Sequence, residues 1–189
     1  MNNLRSILPL VIAAVAAGAQ ADITSLSDNF DAEAYGLNQY TFTNWDVTDG
    51  SVDVIGEGLY PQVSGGGKYV DLDGSSNDAG ILTTKSAFAP GTYTLKFSLA
   101  GSQRGDTNSV LVSLGSYSET FTLNSSDAFS AITRNVVLGS SAQLSFANAG
   151  NDNVGALLDN VSVQAVPEPA SMAALALGGI GLLRRRRAK

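Results

Sequence analysis

The stretch Tyr93-Thr94-Leu95-Lys96-Phe97-Ser98-Leu99 alternates strictly between apolar and polar residues. In a β-strand, side chains two residues apart lie on the same face of the sheet. The four apolar residues of this stretch therefore share one face, and the three polar residues share the other. This pattern predicts a half-buried strand, with one face in a core and the other in solvent.

The same two-residue period recurs through most of the segment 22–165, and we find no convincing stripe with the helical period of 3.6 residues. Further strands are predicted at 51–55, 109–114, 119–123, 133–138, 143–146 and 160–164, and weaker ones at 41–47, 69–73 and 80–84. Turn-forming sequences separate them, including Pro90-Gly91 and Arg104-Gly105-Asp106. About ten short strands at this spacing predict an all-β fold, an antiparallel β-sandwich of the jelly-roll type.

Charge is distributed unevenly along the chain. The formal net charge of −6 is the sum of 11 basic and 17 acidic residues. All 17 acidic residues lie between Asp22 and Glu168, so the segment 22–169, with its 5 basic residues, carries a net charge of −12. Such a body would be repelled by polyanions, and we expect no nucleic-acid partner.

Two absent residue types exclude whole classes of site. The sequence has no His and no Cys, which excludes Ser-His-Asp and Cys-His catalysis, His-ligated metals, thiolate zinc and disulfides. The groups that remain for chemistry are carboxylates, Ser and Thr hydroxyls, Tyr and a few Lys and Arg. We predict that the protein is not an enzyme, with a polysaccharide-active hydrolase that uses a carboxylate pair as the alternative.

The first 21 residues have the three parts of a secretory signal peptide. Arg5 gives a positive start, residues 6–17 form an apolar stretch, and Ala19-Gln20-Ala21 matches a small-x-small cleavage site. The sequence therefore predicts a signal helix at 1–21 that is removed on export. A buried N-terminal helix is the alternative.

The last 24 residues combine a short apolar segment with a basic end. Pro167-Glu168-Pro169 is followed by fourteen uncharged residues at 170–183 and then by Arg184-Arg185-Arg186-Arg187. A helix of fourteen residues rises about 21 Å, which is less than the roughly 30 Å of a hydrocarbon core. Four arginines would remain cytoplasmic and leave the acidic body outside the membrane. We predict a short transmembrane helix at 170–183.

This tail resembles that of the PEP-CTERM exported proteins of Gram-negative bacteria, which combine a Pro-Glu-Pro motif, a short transmembrane helix and an Arg-rich end. The resemblance implies that an exosortase reads residues 166–189 in the inner membrane and cuts near the motif. The protein would then reach the cell surface or the extracellular matrix. A short anchor that is never cut is the alternative. Because the resemblance is confined to the tail, it implies a sorting route and not an activity.

The body at 22–165 is similar to galactose-binding-like jelly rolls, an architecture that many carbohydrate-binding modules share. The similarity rests on Lys68-Tyr69-Val70-Asp71-Leu72-Asp73-Gly74 and on the closing Leu158-Asp159-Asn160-Val161. It implies one domain of sandwich type between the two terminal segments. A fold alone does not give a function.

Acidic residues in this body are candidate calcium ligands. Asp71 and Asp73 are two apart on a predicted strand, so their carboxylates would point to the same face. With Asp159 and Asp28 they could provide oxygen ligands for a structural Ca²⁺, which related jelly rolls often carry. In the alternative interpretation these residues are solvated turn formers.

Aromatic residues are candidates for sugar binding, because a sugar ring stacks its apolar face on an aromatic ring. Tyr60, Trp45 and Tyr69 are the candidates, and Tyr60 is expected in an exposed loop. A single Trp in a sandwich is also a usual core residue. The sequence thus favours a glycan-binding or structural protein that associates with exopolysaccharide or a surface glycan. A matrix protein with no specific ligand is a further alternative.

Overall fold

Strands are the regular elements of the computed structural model, which describes residues 21–64, 66–150 and 152–167. The strands are β1 (Ser25–Asp28), β2 (Gly36–Gln39), β3 (Trp45–Val47), β4 (Val52–Gly56), β5 (Lys68–Asp71), β6 (Ile81–Thr84), β7 (Gly91–Ala100), β8 (Thr107–Leu114), β9 (Tyr117–Asn124), β10 (Ser130–Leu138), β11 (Leu144–Ala149) and β12 (Leu157–Ala165). Within these ranges no helix has the length and apolarity needed to cross a membrane.

The twelve strands form two sheets that pack face to face. A seven-stranded sheet has the order β10-β7-β12-β5-β4-β2, with β1 also paired to β12, and a five-stranded sheet has the order β3-β6-β11-β8-β9. All pairings between these strands are antiparallel. The predicted all-β sandwich of jelly-roll type is confirmed.

The core between the sheets contains the apolar residues of β7, which alternate with polar residues along the strand. Tyr93, Leu95, Phe97 and Leu99 are buried, and Lys96 on the opposite face is exposed. The ring of Phe97 lies 5.3 Å from that of Phe146, measured between centroids, in an edge-to-face arrangement. Burying a side chain of this size stabilises a fold by about 1.5–3 kcal/mol.

Two predicted strands are shorter than expected, and two strands were not predicted. Of the strand predicted at 41–47, only Trp45–Val47 is formed, because the chain turns where Phe42 N donates to Trp45 O. The strand predicted at 69–73 ends at Asp71. The unpredicted strands β1 and β2 are four residues long, and each contains a single large apolar residue, Leu26 or Leu37. This is too little for an alternating pattern.

Strand β12 connects two opposite ends of the sandwich. At one end Ala165 N donates to Thr24 O and Val166 N donates to Thr92 O. The first and last described residues of the sandwich therefore lie at the same end. We call this end the terminal pole. At the other end Leu157 pairs with Asp71 and Ala100, next to the loops 72–80, 101–106 and 152–156. We call this end the loop pole. It is roughly 26 Å from the terminal pole along β12, because a strand rises about 3.3 Å per residue.

Several predicted features lie outside the described residues. They are the signal peptide up to residue 20 with Ala19, the transmembrane helix at 170–183, Glu168, Pro169, and Arg184, Arg185, Arg186 and Arg187. Ala21 and Pro167, at the two ends of the described chain, are exposed.

Candidate functional site

A cleft of about 340 Å³ opens on the outer face of the seven-stranded sheet, near the loop pole. Val52 and Val54 of β4 point into the main core, so the alternation of the strand directs Asp53 and Ile55 outward. The cleft is lined by Leu37, Asp53, Ile55, Tyr60, Gln62, Asp71, Ser75, Arg104 and Asn153. It thus combines apolar, aromatic, amide and charged groups.

Two carboxylates lie side by side in the cleft. Asp53 of β4 and Asp71 of β5 are directly opposite each other in the register of the two strands. Asp53 Oδ1 accepts hydrogen bonds from Asn38 N (2.7 Å) and Ser75 N (3.3 Å), and its Oδ2 accepts one from Ser75 Oγ (2.8 Å). These donors are neutral, and they fix the orientation of the carboxylate.

Asp71 is buried, with its side chain 4% exposed. Its Oδ1 accepts hydrogen bonds from Asp73 N and Gly155 N, both at 3.1 Å, and its Oδ2 accepts one from Arg104 Nη2 at 2.7 Å. Burial raises the pKa of Asp71 to about 7, while the hydrogen bond from Asp73 N and the charge of Arg104 oppose the rise. The like charges of Asp53 and Asp73 add to it.

Arg104 is a site residue that the sequence did not reveal. The sequence Arg104-Gly105-Asp106 predicts a turn, and the segment forms a loop that is held by a hydrogen bond from Ser102 Oγ to Asp106 Oδ1 (2.6 Å). This loop directs Arg104 to Asp71, which is 33 residues earlier in the chain. The available signal was that Arg104 is one of 5 basic residues in a strongly acidic body.

The three candidate aromatic residues occupy different environments. Tyr60 is 62% exposed at the cleft, as expected for a loop. Trp45 is fully buried between the rings of Phe30 and Phe146, and its Nε1 donates to Asp28 Oδ2. The hypothesis that Trp45 presents its ring to a glycan is wrong, because its strand β3 directs the ring into the core.

Tyr69 is also fully buried, so the same hypothesis is wrong for this residue. Its hydroxyl oxygen accepts hydrogen bonds from Gln62 N (2.6 Å) and Val63 N (2.9 Å). It therefore fixes the loop that carries Tyr60. Tyr35 holds the same loop from the other side, since its hydroxyl oxygen accepts a hydrogen bond from Gly58 N at 3.1 Å.

The four candidate calcium ligands are divided between two places. Asp71 and Asp73 lie at the loop pole, where Asp73 is beyond the end of β5 and not on the strand as predicted. Asp28 and Asp159 lie near each other on β1 and β12; burial raises the pKa of Asp159, and the charges of Asp31 and Asp28 add to the rise. This division depends on strand pairing, which no local pattern of the sequence indicates.

The hydrogen bonds at these carboxylates do not fit a metal site. The oxygens of Asp28 accept hydrogen bonds from Phe30 N, Asn44 Nδ2 and Trp45 Nε1, at 2.9–3.0 Å. Among the residues that the structure describes, no group of three acidic side chains could hold a metal ion. Calcium binding therefore remains a prediction from the sequence.

The pKa values of Asp71 and Asp159 predict how stability depends on pH. Burial raises the pKa of Asp71 to about 7 and that of Asp159 to about 6. Both groups therefore hold a proton more tightly in the folded state, so their contribution to stability is present at low pH and is lost as the pH rises toward 7. We expect a lower melting temperature at pH 8 than at pH 5, measured by circular dichroism.

Asp159→Asn should reduce this drop, because an amide has no charge to bury. Asp46→Asn, which removes the same charge from an exposed position, should leave the drop unchanged. Equal drops in the wild type and in Asp159→Asn would contradict the assignment to Asp159.

The end of the chain identifies its sorting route. Residues 165–187 match the PEP-CTERM protein-sorting motif. The chain carries a PEP-CTERM motif. The match includes Pro167-Glu168-Pro169 and Arg184 to Arg187, and it marks the chain as an exported protein that is sorted through its C terminus. No curated protein sequence matches the chain.

Solved structures resemble the body that precedes the PEP-CTERM motif. The K1 cleaved adhesin domain of Lys-gingipain from Porphyromonas gingivalis W83 is 16% identical, with a TM-score of 0.53 over 76% of this chain and 99% of that domain. CBM35 from Paenibacillus barcinonensis is 24% identical (TM-score 0.43; 69% of this chain, 100% of that one). The CBM22-1 xylan-binding domain of Xyn10C from the same organism is 12% identical (TM-score 0.47; 76% and 94%). The adhesin domain shares the sandwich fold.

Proposed function

We propose that the protein is an exported, non-catalytic glycan-binding protein that associates with exopolysaccharide or a surface glycan through the cleft beside Tyr60. In this proposal, residues 1–21 are removed as a signal peptide, 22–165 form the binding domain, and an exosortase reads 166–189 in the inner membrane. The structural neighbours include carbohydrate-binding modules, and the proposal agrees with them.

The chemistry of the cleft carries this proposal. The exposed ring of Tyr60 offers a flat surface to the apolar face of a sugar. Asp53, Asp71 and Arg104 offer fixed acceptors and donors to its hydroxyl groups. The cleft also lies near the loop pole, and the described chain ends at the opposite pole, where Val166 N donates to Thr92 O.

Tyr60→Ala tests the proposal. We expect affinity for the exopolysaccharide of the producing cells to fall by about 2 kcal/mol, roughly thirtyfold, because an exposed Tyr at the centre of a contact contributes this much. The measurement is retardation of the exported protein in gels that contain the polysaccharide. Tyr40→Ala is the matched control, because Tyr40 is equally exposed, at 61%, and does not line the cleft. Equal retardation of the wild type and Tyr60→Ala would exclude this cleft as the binding site.

The carboxylate pair favours a second candidate function, a polysaccharide-active hydrolase. Residues opposite each other on antiparallel strands have Cβ atoms about 4.5–5.5 Å apart, close to the roughly 5–5.5 Å between the carboxyl groups of retaining glycosidases. The hydrogen bonds favour binding instead, since Arg104 and two backbone N–H groups already occupy Asp71. Release of reducing ends from the polysaccharide would refute the non-catalytic proposal. Failure to bind any glycan, with or without Ca²⁺, would favour a matrix protein without a ligand.

A further inference from the structure

Negative charge exceeds positive charge at the cleft. Asp53 and Asp71 line it, and Asp73 does not line it but donates its backbone N–H to Asp71 Oδ1. All three carboxyl groups are buried, with residue exposures of 5%, 2% and 0%. Arg104 is the one basic residue among the lining residues that the structure describes. Buried carboxylates without a matching cation are unfavourable, and a cationic ligand would relieve this.

Arg104 does not neutralise all three of these carboxyl groups. It forms an ion pair with Asp71, whereas the hydrogen bonds to Asp53 come from the neutral groups of Asn38 and Ser75. Asp73 Oδ1 is fully buried and accepts no hydrogen bond within the described chain. Burial raises the pKa of Asp73, the hydrogen bond from Asp152 N and the charge of Arg104 oppose the rise, and the charges of Asp152 and Asp53 add to it. Within the described chain neither Asp53 nor Asp73 forms an ion pair, since Arg104 pairs with Asp71.

The remaining features of the cleft also suit a cation. The exposed ring of Tyr60 has a negative face, which attracts an ammonium group held over it. The body as a whole carries a net charge of −12 over residues 22–169 and attracts cations over a longer range. A uronic acid carries a negative charge, so the negative charge of the body would repel it.

We propose that the cleft selects glycans with free amino groups, such as partly de-N-acetylated hexosamine polymers, over neutral and uronic-acid glycans. The inference rests on the proposed function of this cleft. The ammonium group of the sugar lies between Asp53 and Tyr60, and the hydroxyl groups of the same ring contact Arg104 and Asp71. N-acetylation removes the charge and with it the contact to Asp53.

The test compares three oligosaccharides of equal length by isothermal titration calorimetry with the exported protein at pH 7. They are a glucosamine oligomer, its N-acetylated form and a glucose oligomer. We expect the glucosamine oligomer to bind about tenfold more tightly than the other two, which is the contribution of one hydrogen bond between charged groups. The preference should weaken at high salt, because salt screens the attraction between the ammonium group and the carboxylates.

Asp53→Asn is expected to remove the tenfold preference for the glucosamine oligomer over the other two oligomers. Asp46→Asn, which removes one charge from the other sheet, is the matched control and should keep the preference. A similar loss in both variants would overturn the inference, because the preference would then come from the net charge of the body.

The inference and the proposed function fail in different ways. Equal affinity of the wild type for all three oligomers overturns the inference and leaves glycan binding intact. Absence of binding to all three oligomers and to the exopolysaccharide of the producing cells overturns both.

Discussion

Trp45→Ala is expected to lower the free energy of unfolding by about 3–5 kcal/mol. The Trp45 ring lies 6.0 Å from the rings of Phe30 and Phe146, measured between centroids, so its removal leaves a cavity where the two sheets meet. It also removes the indole N–H from Asp28, whose Oδ2 then keeps only the hydrogen bond from Asn44. Since domains are typically stable by about 5–15 kcal/mol, this variant should be close to unfolding.

Urea denaturation followed by circular dichroism measures the effect, because Trp45 is the single Trp of the chain and its variants lose tryptophan fluorescence. Leu111→Ala is the matched control, because Leu111 is 43% exposed on the outer face of the five-stranded sheet, and a loss below about 1 kcal/mol is expected. Trp45→Phe should fall between the two, as it keeps a ring and loses the N–H donor. A loss below about 1 kcal/mol for Trp45→Ala would contradict the central position of this ring.

Replacing Arg184, Arg185, Arg186 and Arg187 by alanine is expected to abolish sorting through the PEP-CTERM motif. In the proposed sorting route, four positive charges would keep the end of the chain on the cytoplasmic side, and the variant would lack this topology signal. In the wild type, mass spectrometry of protein recovered outside the cell should show a C terminus near Pro167 to Pro169. In the variant, protein outside the cell should lack this processed end.

Lys96→Ala is the control for the sorting experiment, because Lys96 is an exposed basic residue of the body. Its sorting and its C terminus should match those of the wild type. Recovery of wild-type protein outside the cell with Arg184 to Arg187 intact would contradict processing.

Local patterns in the sequence were sufficient to predict the sandwich. The alternation at 93–99 identified the core face of β7, because a period of two can be recognised over seven residues. It failed at β3, where three residues are too few to show that Trp45 points inward. Strand ends were also missed where tertiary contacts set them, as at Asp71, after which Leu72 N donates to Ala156 O.

The cleft could be predicted only in part, because strand register brings its residues together. Asp71 and Tyr60 were candidates from the sequence. Asp53 was not, since its position opposite Asp71 depends on the register of β4 and β5. Arg104 reaches the cleft from a loop whose position relative to β5 is set by pairings of β7 and β12. No local pattern contains this information.

Both ends of the described chain leave the sandwich at the terminal pole, whereas the cleft opens near the loop pole. A molecule attached by its processed C terminus would thus be a cross-linker, with its attachment point and its glycan on opposite sides. One such molecule would connect two components of the matrix across roughly 26 Å, the length of β12. Many of them would stiffen a polymer gel without requiring any contact between copies of the protein.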